Sequence, residues 1–366
     1  MFSEDKCPAL CSACRHRHFS YDESIQQKMQ LLAKKLEPWA HKILKITIAP
    51  QEYRLNYRNK VCLHSFFENN QWQFGMLSRR VFVATPECPV HHPIVNQSAA
   101  LIRKALSNRP EVFLKYYVQS GKQVLLVLKT RHLPAMDWLT EDVKVSLQQI
   151  GIEGLCLHLN PSAGHKVFGK HGFYLVYGHE FSKDDKGLMY GPMSFQQLIP
   201  TLYFNAVQKA YQFLKPDNRS IIIDLYCGNG GTLKESCKSG AICAGVELNG
   251  EALGYCAINV PEAFTLRGRC KDRLPQLDAY ISEHAEYKKL LYVNPPRTGL
   301  EEEVTRWITN TYKPEKMAYL SCSPGTLFRD LSILTACGYA VVQIIPFDFF
   351  PYTSHVESLV LMKKEG

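Results

Sequence analysis

The sequence predicts an α/β protein whose C-terminal half is a Rossmann-like, doubly wound and mostly parallel sheet. From about residue 192 onward, short apolar runs alternate with helical stretches, as in parallel sheets with connecting helices. A glycine-rich turn follows the first of these runs, another feature of this fold class. The preceding part has short segments of alternating polarity instead, which predict an antiparallel α+β domain.

These patterns divide the chain into three predicted parts: a cysteine segment with a helix (1–45), a central domain (46–190) and the C-terminal α/β domain (191–366). In the first part, Ser20 and Glu23 match the S-x-x-E capping box that begins a helix, and Pro38 is expected to end it. The central domain is predicted to contain strands at 60–67, 72–77, 80–84, 123–128, 155–159 and 172–177, and helices near 96–107 and 137–149. The C-terminal domain is predicted to contain a helix at 198–214, buried strands at 220–225, 241–247, 290–293 and 318–321, and a final hairpin at 340–346 and 357–363.

The composition is that of a folded chain, with 46% of its 366 residues hydrophobic and 21% charged. No apolar run approaches the ~20 residues that span a bilayer. Residues 1–19 lack the apolar core of a secretory signal. We therefore expect a monomeric, cytoplasmic protein without membrane association. Its 13 cysteines are then expected to be mostly reduced thiols.

The net charge of +9 is unevenly distributed. Residues 1–190 hold 25 Lys and Arg against 16 Asp and Glu, so the remainder of the chain is neutral. A basic front half joined to a neutral back half is typical of a polyanion-binding part attached to a catalytic part. A solubilising surface charge is an equally good explanation of the charge alone.

The glycine-rich turn after the strand at 220–225 has the pattern D-x-x-C-G-x-G-G, which includes Asp224, Gly228 and Gly230. Glycine suits a backbone that turns tightly and approaches a ligand closely. Glu247 ends the next predicted strand, where its carboxylate is suited to accept hydrogen bonds from two ribose hydroxyls. The turn lacks the G-x-G-x-x-G of phosphate-binding dinucleotide sites. Because S-adenosylmethionine (AdoMet) has no phosphate and carries a sulfonium cation, the acidic loop favours AdoMet over NAD, and a tight turn without a ligand is the alternative.

Two later strands also end in residues that suit chemistry. The strand at 290–293 continues into Asn294-Pro295-Pro296-Arg297, and the strand at 318–321 continues into Cys322. Ligands of open α/β sheets bind at this carboxyl edge. A helix is predicted at 326–334, and its N-terminus is expected to favour the thiolate of Cys322. A lone cysteine is more often a core residue, but this position makes Cys322 a candidate nucleophile.

Four motifs in order resemble the RNA uracil-5-methyltransferase family, which modifies tRNA and 23S ribosomal RNA. They are the Asp224–Gly231 turn, Asn294–Arg297, Ser321–Pro324 and Phe347–Glu357. The resemblance continues into the front half through Tyr57–Lys60 and Phe74–Leu77. It implies a class I AdoMet methyltransferase domain behind a central RNA-binding domain.

The resemblance implies that Cys322 is the nucleophile and Glu357 the general base. Uracil C5 is a poor nucleophile, so a thiolate first adds to C6 and activates C5. A base then removes the C5 proton so that the thiolate can leave. Burial of Glu357 on the predicted hairpin is expected to raise its proton affinity toward this role.

Further residues are implied to contact the cofactor or to support the pocket. Gln197 matches the family's glutamine between the domains, although the asparagine usual two residues later is Ile199 here, and Gln196 is the alternative register. Asp272 is a candidate for the adenine side. Arg297 and Asp348 are expected to support the pocket, and Arg297 is also expected to contact the substrate. The predicted cofactor set is Gln197, Asp224, Tyr226, Gly228, Gly230, Glu247, Asp272 and Asn294.

Cys7, Cys11 and Cys14 are closely spaced, and Cys88 is a distant fourth thiol. Such a set is able to enclose a tetrahedral metal or an iron–sulfur cluster. The ribosomal RNA members of the family resemble this arrangement and carry a [4Fe–4S] cluster there. Zinc and free thiols are the alternatives. The cluster would hold the N-terminus against the RNA-binding domain.

The same cysteines favour 23S ribosomal RNA over tRNA as the partner, since tRNA members usually lack them and no TRAM-type barrel precedes Cys7. Arg58 and Lys60 are among the predicted phosphate contacts. Three alternative functions remain. RNA cytosine-5-methyltransferases usually place a second cysteine in the turn at 294–297, which has none, and amino-methyltransferases want an aromatic residue where Arg297 stands. A non-catalytic RNA-binding protein would not need Cys322, Glu357 and Glu247.

Overall fold

The computed structural model describes residues 7–169 and 172–365, so the first six residues of the predicted cysteine segment lie outside this part. The chain forms two compact units. The first comprises Met1–His18 and Gln51–Leu198, and the second comprises Phe19–Pro50 and Ile199–Gly366. This division differs from the predicted ranges 1–45, 46–190 and 191–366. The reason is that helix α1 (Tyr21–Lys35) packs into the core of the C-terminal unit rather than with the cysteines before it.

Helix α1 begins at the expected capping box. The Glu23 amide donates to the Ser20 hydroxyl at 3.2 Å, and the Glu23 carboxylate accepts from the Ser20 amide at 2.7 Å. The helix ends at Lys35, before Pro38. Leu32 and Leu36 are fully buried in the second unit. None of the described helices is long and apolar enough to cross a bilayer.

The first unit is built on a seven-stranded sheet of order β3-β2-β1-β4-β5-β6-β7. Neighbouring strands are antiparallel except β5 and β6, which are parallel. The strands are β1 (Lys60–Glu68), β2 (Gln71–Ser78), β3 (Val81–Ala84), β4 (Leu114–Ser120), β5 (Gln123–Leu128), β6 (Gly154–Leu159) and β7 (Tyr174–Gly178). The helices are α2 (Pro93–Ala105) and α3 (Glu141–Ile150), and β8 (Ser182–Lys183) pairs with β9 (Met189–Tyr190).

The second unit is built on a sheet of order β12-β11-β10-β13-β14-β16-β15. Strands β10 to β14 are parallel, and β16 runs antiparallel to both of its neighbours, β14 and β15. The strands are β10 (Ser220–Leu225), β11 (Ile242–Glu247), β12 (Phe264–Arg267), β13 (Lys288–Val293), β14 (Lys316–Ser321), β15 (Tyr339–Phe347) and β16 (Glu357–Lys364). The helices are α4 (Pro200–Leu214), α5 (Gly231–Cys237), α6 (Gly250–Asn259), α7 (Cys270–Ser282), α8 (Glu302–Trp307) and α9 (Pro324–Ala336).

The core of the second unit covers one face of this sheet. Side chains of α1, α7, α8 and α9 form one hydrophobic cluster with the buried residues of β10, β13 and β14. Helix α4 contacts β14 and β16. Strand β10 lies between β11 and β13, so the order of strands reverses there. The carboxyl ends of β10 and β13 therefore form a topological switch point, where ligands of open α/β sheets bind.

Candidate active site

The turn between β10 and α5 has a left-handed backbone conformation at several positions, which most residue types adopt only at an energetic cost. Tyr226, Gly228 and Gly230 all have positive φ, of 68°, 57° and 87°. A Cβ on Gly230 would lie 2.8 Å from the sulfur of Cys256, so glycine alone fits that position. A Cβ on Gly228 would meet no atom within 4 Å among the described residues. The turn therefore leaves open space beside Gly228.

Asp224, at the end of β10, is buried beneath this turn with 1% of its surface exposed. Its Oδ2 accepts a short hydrogen bond from the hydroxyl of Thr232, in the first turn of α5. Its Oδ1 has no hydrogen-bond partner within the described ranges. The pKa of Asp224 is raised to about 8, chiefly by burial; the hydrogen bond from Thr232 opposes this rise and the nearby charge of Glu247 contributes to it. Thr232 was not identified from the sequence, although its position two residues after Gly230 was the available signal.

Glu247 ends β11 beside the same turn. Its Oε2 accepts from the Gly228 amide at 3.0 Å, and its Oε1 accepts from the Asn249 amide at 2.7 Å. A carboxylate has about four acceptor positions, so both oxygens retain capacity for other donors. The carboxylate is thus oriented by backbone amides on either side of it.

Asn294 and Asp272 follow two other strands at this edge. Asn294 lies directly after β13 and is half-buried. Its backbone amide donates to the Leu225 carbonyl at 3.3 Å, and this hydrogen bond joins the ends of β10 and β13. Asp272 is exposed in the first turn of α7, which follows β12. Arg267, the last residue of β12, pairs with Glu247, so β12 ends at the same edge of the sheet as β11. Asp272 follows shortly after that end and therefore belongs to this edge.

Cys322 and Glu357 come together through the pairing of β14 with β16. Ser321 is the register partner of Ser358, so the next residue toward the sheet edge is Cys322 on one strand and Glu357 on the other. Cys322 is half-buried, and Glu357 is buried with 6% of its surface exposed. The antiparallel end of the sheet therefore brings together two groups that are 35 positions apart in the chain.

Arg297 lies within reach of both groups. Burial raises the pKa of Glu357 to about 8, against the opposing charge of Arg297. Burial and the charge of Glu357 raise the pKa of Cys322, while the charge of Arg297 and a hydrogen bond from its side chain act in the opposite direction. The net shift of the Cys322 pKa is therefore upward, and the contribution expected from the start of α9 stays a prediction. The raised proton affinity predicted for Glu357 is present.

The turn that carries Arg297 is held by α9. The Thr326 hydroxyl donates to the Arg297 carbonyl at 3.2 Å. The Leu300 amide donates to Oδ2 of the buried Asp330 at 2.9 Å, and Arg329 donates to the Leu300 carbonyl at 3.0 Å. These supporting residues were not identified from the sequence, because their side chains act on backbone atoms that no motif encodes.

Gln197 and Lys60, which are predicted to contact the cofactor and RNA, both lie in the first unit. Gln197 is half-buried, whereas the side chain of Gln196 hydrogen-bonds the hydroxyl of Tyr190 within the unit. Lys60 donates to the carbonyls of Ser194 at 2.5 Å and Pro192 at 3.4 Å. Their assignments to cofactor and RNA stay predictions.

Cys7, Cys11, Cys14 and Cys88 are neighbours in the first unit. Burial raises the pKa of Cys14 to about 12, and the charges of Cys88, Cys11 and Cys7 add to this, while Arg58 opposes it. Cys11 and Cys14 are buried, and Cys7 and Cys88 are half-buried. Across residues 7–169 and 172–365, no group of three or more His, Cys, Asp or Glu side chains is arranged to hold a metal ion.

Comparisons with known proteins found RNA methyltransferases to which this chain is similar. A family model described as tRNA (Uracil-5-)-methyltransferase matches residues 268–365. An uncharacterized RNA methyltransferase of Caldanaerobacter subterraneus is 25% identical over 380 residues, covering 97% of this chain and 82% of that protein. Another, from Halalkalibacterium halodurans, is 26% identical over 398 residues, covering 98% and 83%.

A solved structure shares the fold. It is the crystal structure of Pyrococcus abyssi tRNA (uracil-54, C5)-methyltransferase in complex with S-adenosyl-L-homocysteine, with a TM-score of 0.72 and 22% identity, covering 97% of this chain and 86% of that one. This structure shows the fold alone, whereas the family model over residues 268–365 and the similarity to RNA methyltransferases over nearly the whole chain support an RNA uracil-5-methyltransferase family for this protein.

Proposed function

We propose that this protein methylates C5 of a specific uridine in 23S ribosomal RNA, with Cys322 as nucleophile and Glu357 as general base. The observation that carries the proposal is the adjacency of these two groups, with Arg297, at the sheet edge that also bears the Asp224–Gly230 turn. A thiol beside a carboxyl group of raised pKa suits addition to C6 followed by proton removal from C5.

The residues of the turn fit AdoMet. The buried Oδ1 of Asp224 has no hydrogen-bond partner in the described part of the chain. A positively charged ligand would provide this buried oxygen with a favourable electrostatic partner. Open space beside Gly228 and the oriented carboxylate of Glu247 suit a nucleoside. The residues proposed to hold AdoMet are Gln197, Asp224, Tyr226, Gly228, Gly230, Glu247, Asp272 and Asn294. AdoMet, when bound, supplies the methyl group that uracil C5 acquires.

The chain's own residues carry the other steps. The Cys322 thiolate donates its electron pair to uracil C6, and the negative charge that develops is delocalised from C5 onto O4. After C5 has gained the methyl group, Glu357 accepts the C5 proton. The electron pair of that C–H bond restores the C5–C6 double bond and expels the Cys322 thiolate. Arg297 favours the charged forms of both groups.

The test is methylation of purified RNA with AdoMet labelled in its methyl group. We expect label in 23S ribosomal RNA, recovered as 5-methyluridine after digestion to nucleosides. The Cys322→Ala protein is the matched control and is expected to give none. Recovery as 5-methylcytidine would contradict the proposal in favour of cytosine methylation.

tRNA is the second candidate substrate, because the matching family model is described by tRNA and the similar Pyrococcus abyssi enzyme acts on it. The same assay with tRNA decides between the two. Label in tRNA alone would overturn the ribosomal RNA proposal and leave the uridine chemistry in place.

We also propose that Cys7, Cys11, Cys14 and Cys88 hold a [4Fe–4S] cluster. Burial raises the pKa of Cys14 and Cys88, and the charges of neighbouring thiols add to both shifts. Four neighbouring thiols of this kind are a donor set that a cationic centre stabilises as thiolates. In the described part of the chain these side chains are not arranged as a metal site, so the proposal rests on the proximity of the four thiols and on their chemistry as donors. Its role would be structural.

Iron and acid-labile sulfide in anaerobically purified protein test the cluster. We expect both in the unaltered protein and their loss in Cys88→Ser. Cys62→Ser, which alters an exposed cysteine of the same unit, is expected to retain them. Zinc without iron, or neither metal, would contradict the cluster.

A further inference from the structure

The segment 348–356 joins β15 to β16 and leads directly into Glu357. Its first residue, Asp348, is fully buried and is held by α1. The ammonium group of Lys28 makes a short ion pair with Asp348 Oδ1. The hydroxyl of Tyr21 donates to Asp348 Oδ2 at 2.8 Å. Both carboxylate oxygens are therefore bound by one helix.

Lys28 reaches beyond Asp348. Its ammonium also donates to the carbonyl of Phe350 at 2.8 Å, so the same charge holds a backbone atom of the segment. Lys28 is fully buried, whereas Lys34 and Lys35 on the same helix are exposed. A buried ammonium is costly unless it is paired and fully hydrogen-bonded. The burial of the Lys28 ammonium group is therefore favourable only while the segment 348–356 keeps the conformation that places Asp348 and the Phe350 carbonyl beside it.

Tyr21 links the segment to a second part of the unit. Its hydroxyl accepts from the Ala49 amide at 2.9 Å, and its ring meets that of Tyr352 edge-on, with 5.9 Å between the centroids. Tyr352 has a positive φ of 59°, a conformation that few residues adopt without support. The Asp348 amide donates to the Thr47 carbonyl at 3.0 Å. Both the beginning and the middle of the segment are thus fixed from α1 and the strand-like residues that follow it.

We infer that Lys28 and Tyr21 are positioning residues that fix the segment 348–356 so that Glu357 faces the uridine bound to Cys322. This inference rests on the proposed roles of Cys322 and Glu357. Cys322 reaches the same edge on a different strand, β14, which is held by α9 and the central sheet. A disturbance of the segment therefore displaces the base more than the nucleophile. The step that depends on Lys28 is removal of the C5 proton and release of the RNA.

The test compares formation and decay of the covalent enzyme–RNA adduct in single-turnover reactions with ordinary uridine RNA. In Lys28→Met, which keeps the length of the side chain and removes its charge, we expect adduct formation within about threefold of the unaltered protein. Adduct decay is expected to slow at least about tenfold, so a methylated adduct accumulates and kcat falls while KM for RNA is little changed. Tyr21→Phe is expected to slow decay less, and Lys35→Met, an exposed change on the same helix, not at all.

Lys28→Met leaves the Asp348 carboxylate buried without its cation and is at risk of unfolding. The double variant Lys28→Met/Asp348→Asn removes both charges and is expected to fold with adduct decay still slow. Unchanged decay in the folded variants, or equal slowing of formation and decay, would overturn the inference while the proposed function stands. If the unaltered protein makes neither adduct nor 5-methyluridine, the proposed function fails and the inference fails with it.

Discussion

Glu357 and Cys322 occupy facing ends of two antiparallel strands, one position beyond the pair Ser321 and Ser358. Burial raises the pKa of Cys322, and the charge of Glu357 raises it as well. At neutral pH Glu357 is partly protonated, so it destabilises the thiolate of Cys322 less than a fully ionised carboxylate would. The same raised pKa, about 8, makes Glu357 a stronger base once it is ionised.

Replacing Cys322 should abolish covalent capture of RNA. With RNA that contains 5-fluorouridine, the base cannot remove a proton from C5, so the unaltered protein with AdoMet should form an adduct that survives denaturing electrophoresis. Cys322→Ala should form none, while Cys337→Ala, an exposed cysteine of the same unit, should behave as the unaltered protein does. An adduct with Cys322→Ala would assign the nucleophile to another residue.

Replacing Glu357 by glutamine should separate the two halves of the reaction. Cys322 retains its thiol, so addition to C6 and methylation of C5 proceed, but the adduct cannot release its proton. Turnover should fall by about 10²–10⁴, and a methylated adduct should accumulate with ordinary uridine RNA. Glu302→Gln, an exposed change on α8, is the control. Loss of turnover without any adduct would place Glu357 at an earlier step.

Much of this arrangement is predictable from the sequence because regular elements leave periodic patterns. The bounds of β10 agree with the prediction, and α4, β11, β13, β14 and the final hairpin differ from it by at most two residues at either end. Strand β4 (Leu114–Ser120) was missed because it is buried on both faces and has no alternation. Strand β12 (Phe264–Arg267) was missed because it is only four residues long and partly exposed.

Some features of the candidate site were likewise predictable from the sequence, and others were not. Cys322, Glu357 and the glycine turn lie in continuous motifs at strand ends, where topology alone brings them to one edge. The direction of the Cys322 pKa shift was not predictable, because it depends on burial and on Glu357, which is remote in sequence. The links from Lys28 and Tyr21 to Asp348 span more than 300 residues and were not predictable either.

Replacing Arg297 by glutamine should shift the pH dependence of the reaction. Arg297 lowers the pKa of both Cys322 and Glu357. Both groups act in their deprotonated forms and both have raised pKa values. In the unaltered protein kcat/KM should therefore rise with pH through about 8 as Glu357 ionises, and continue to rise at higher pH as Cys322 ionises. Without the arginine both pKa values rise further. A rise of one unit in either pKa corresponds to about a tenfold loss at pH 7 that is recovered at higher pH.

The control for Arg297 is Arg306→Gln, which removes an exposed arginine from α8 and should leave the profile unchanged. The measurement is kcat/KM from pH 6 to 9.5 with protein that remains folded over this range. An equal loss at every pH would mean that Arg297 binds RNA instead of adjusting the two reacting groups.

Replacing Asp224 by asparagine should weaken AdoMet binding and change how stability depends on pH. The folded-state pKa of Asp224, about 8, lies above its ordinary value near 4. The protonated carboxyl therefore contributes stability that is fully present below pH ~4 and is lost as pH rises through about 8. Asparagine keeps an acceptor for Thr232 and never ionises. The stability of Asp224→Asn relative to the ligand-free unaltered protein should thus increase between pH 5 and 8.5, by on the order of a few kcal/mol.

Thermal or denaturant unfolding of the ligand-free proteins at several pH values measures this difference, and calorimetric titration measures AdoMet binding. Asp217→Asn is the matched control, because Asp217 is exposed and its hydrogen bonds with Ser220 and the Arg219 amide lower its pKa. Its contribution to stability is present above its ordinary pKa and is lost only in acid, so this variant should show no gain between pH 5 and 8.5. If Asp224→Asn bound AdoMet as tightly as the unaltered protein, the buried carboxylate would be a structural feature of the turn rather than a partner for the cofactor's positive charge.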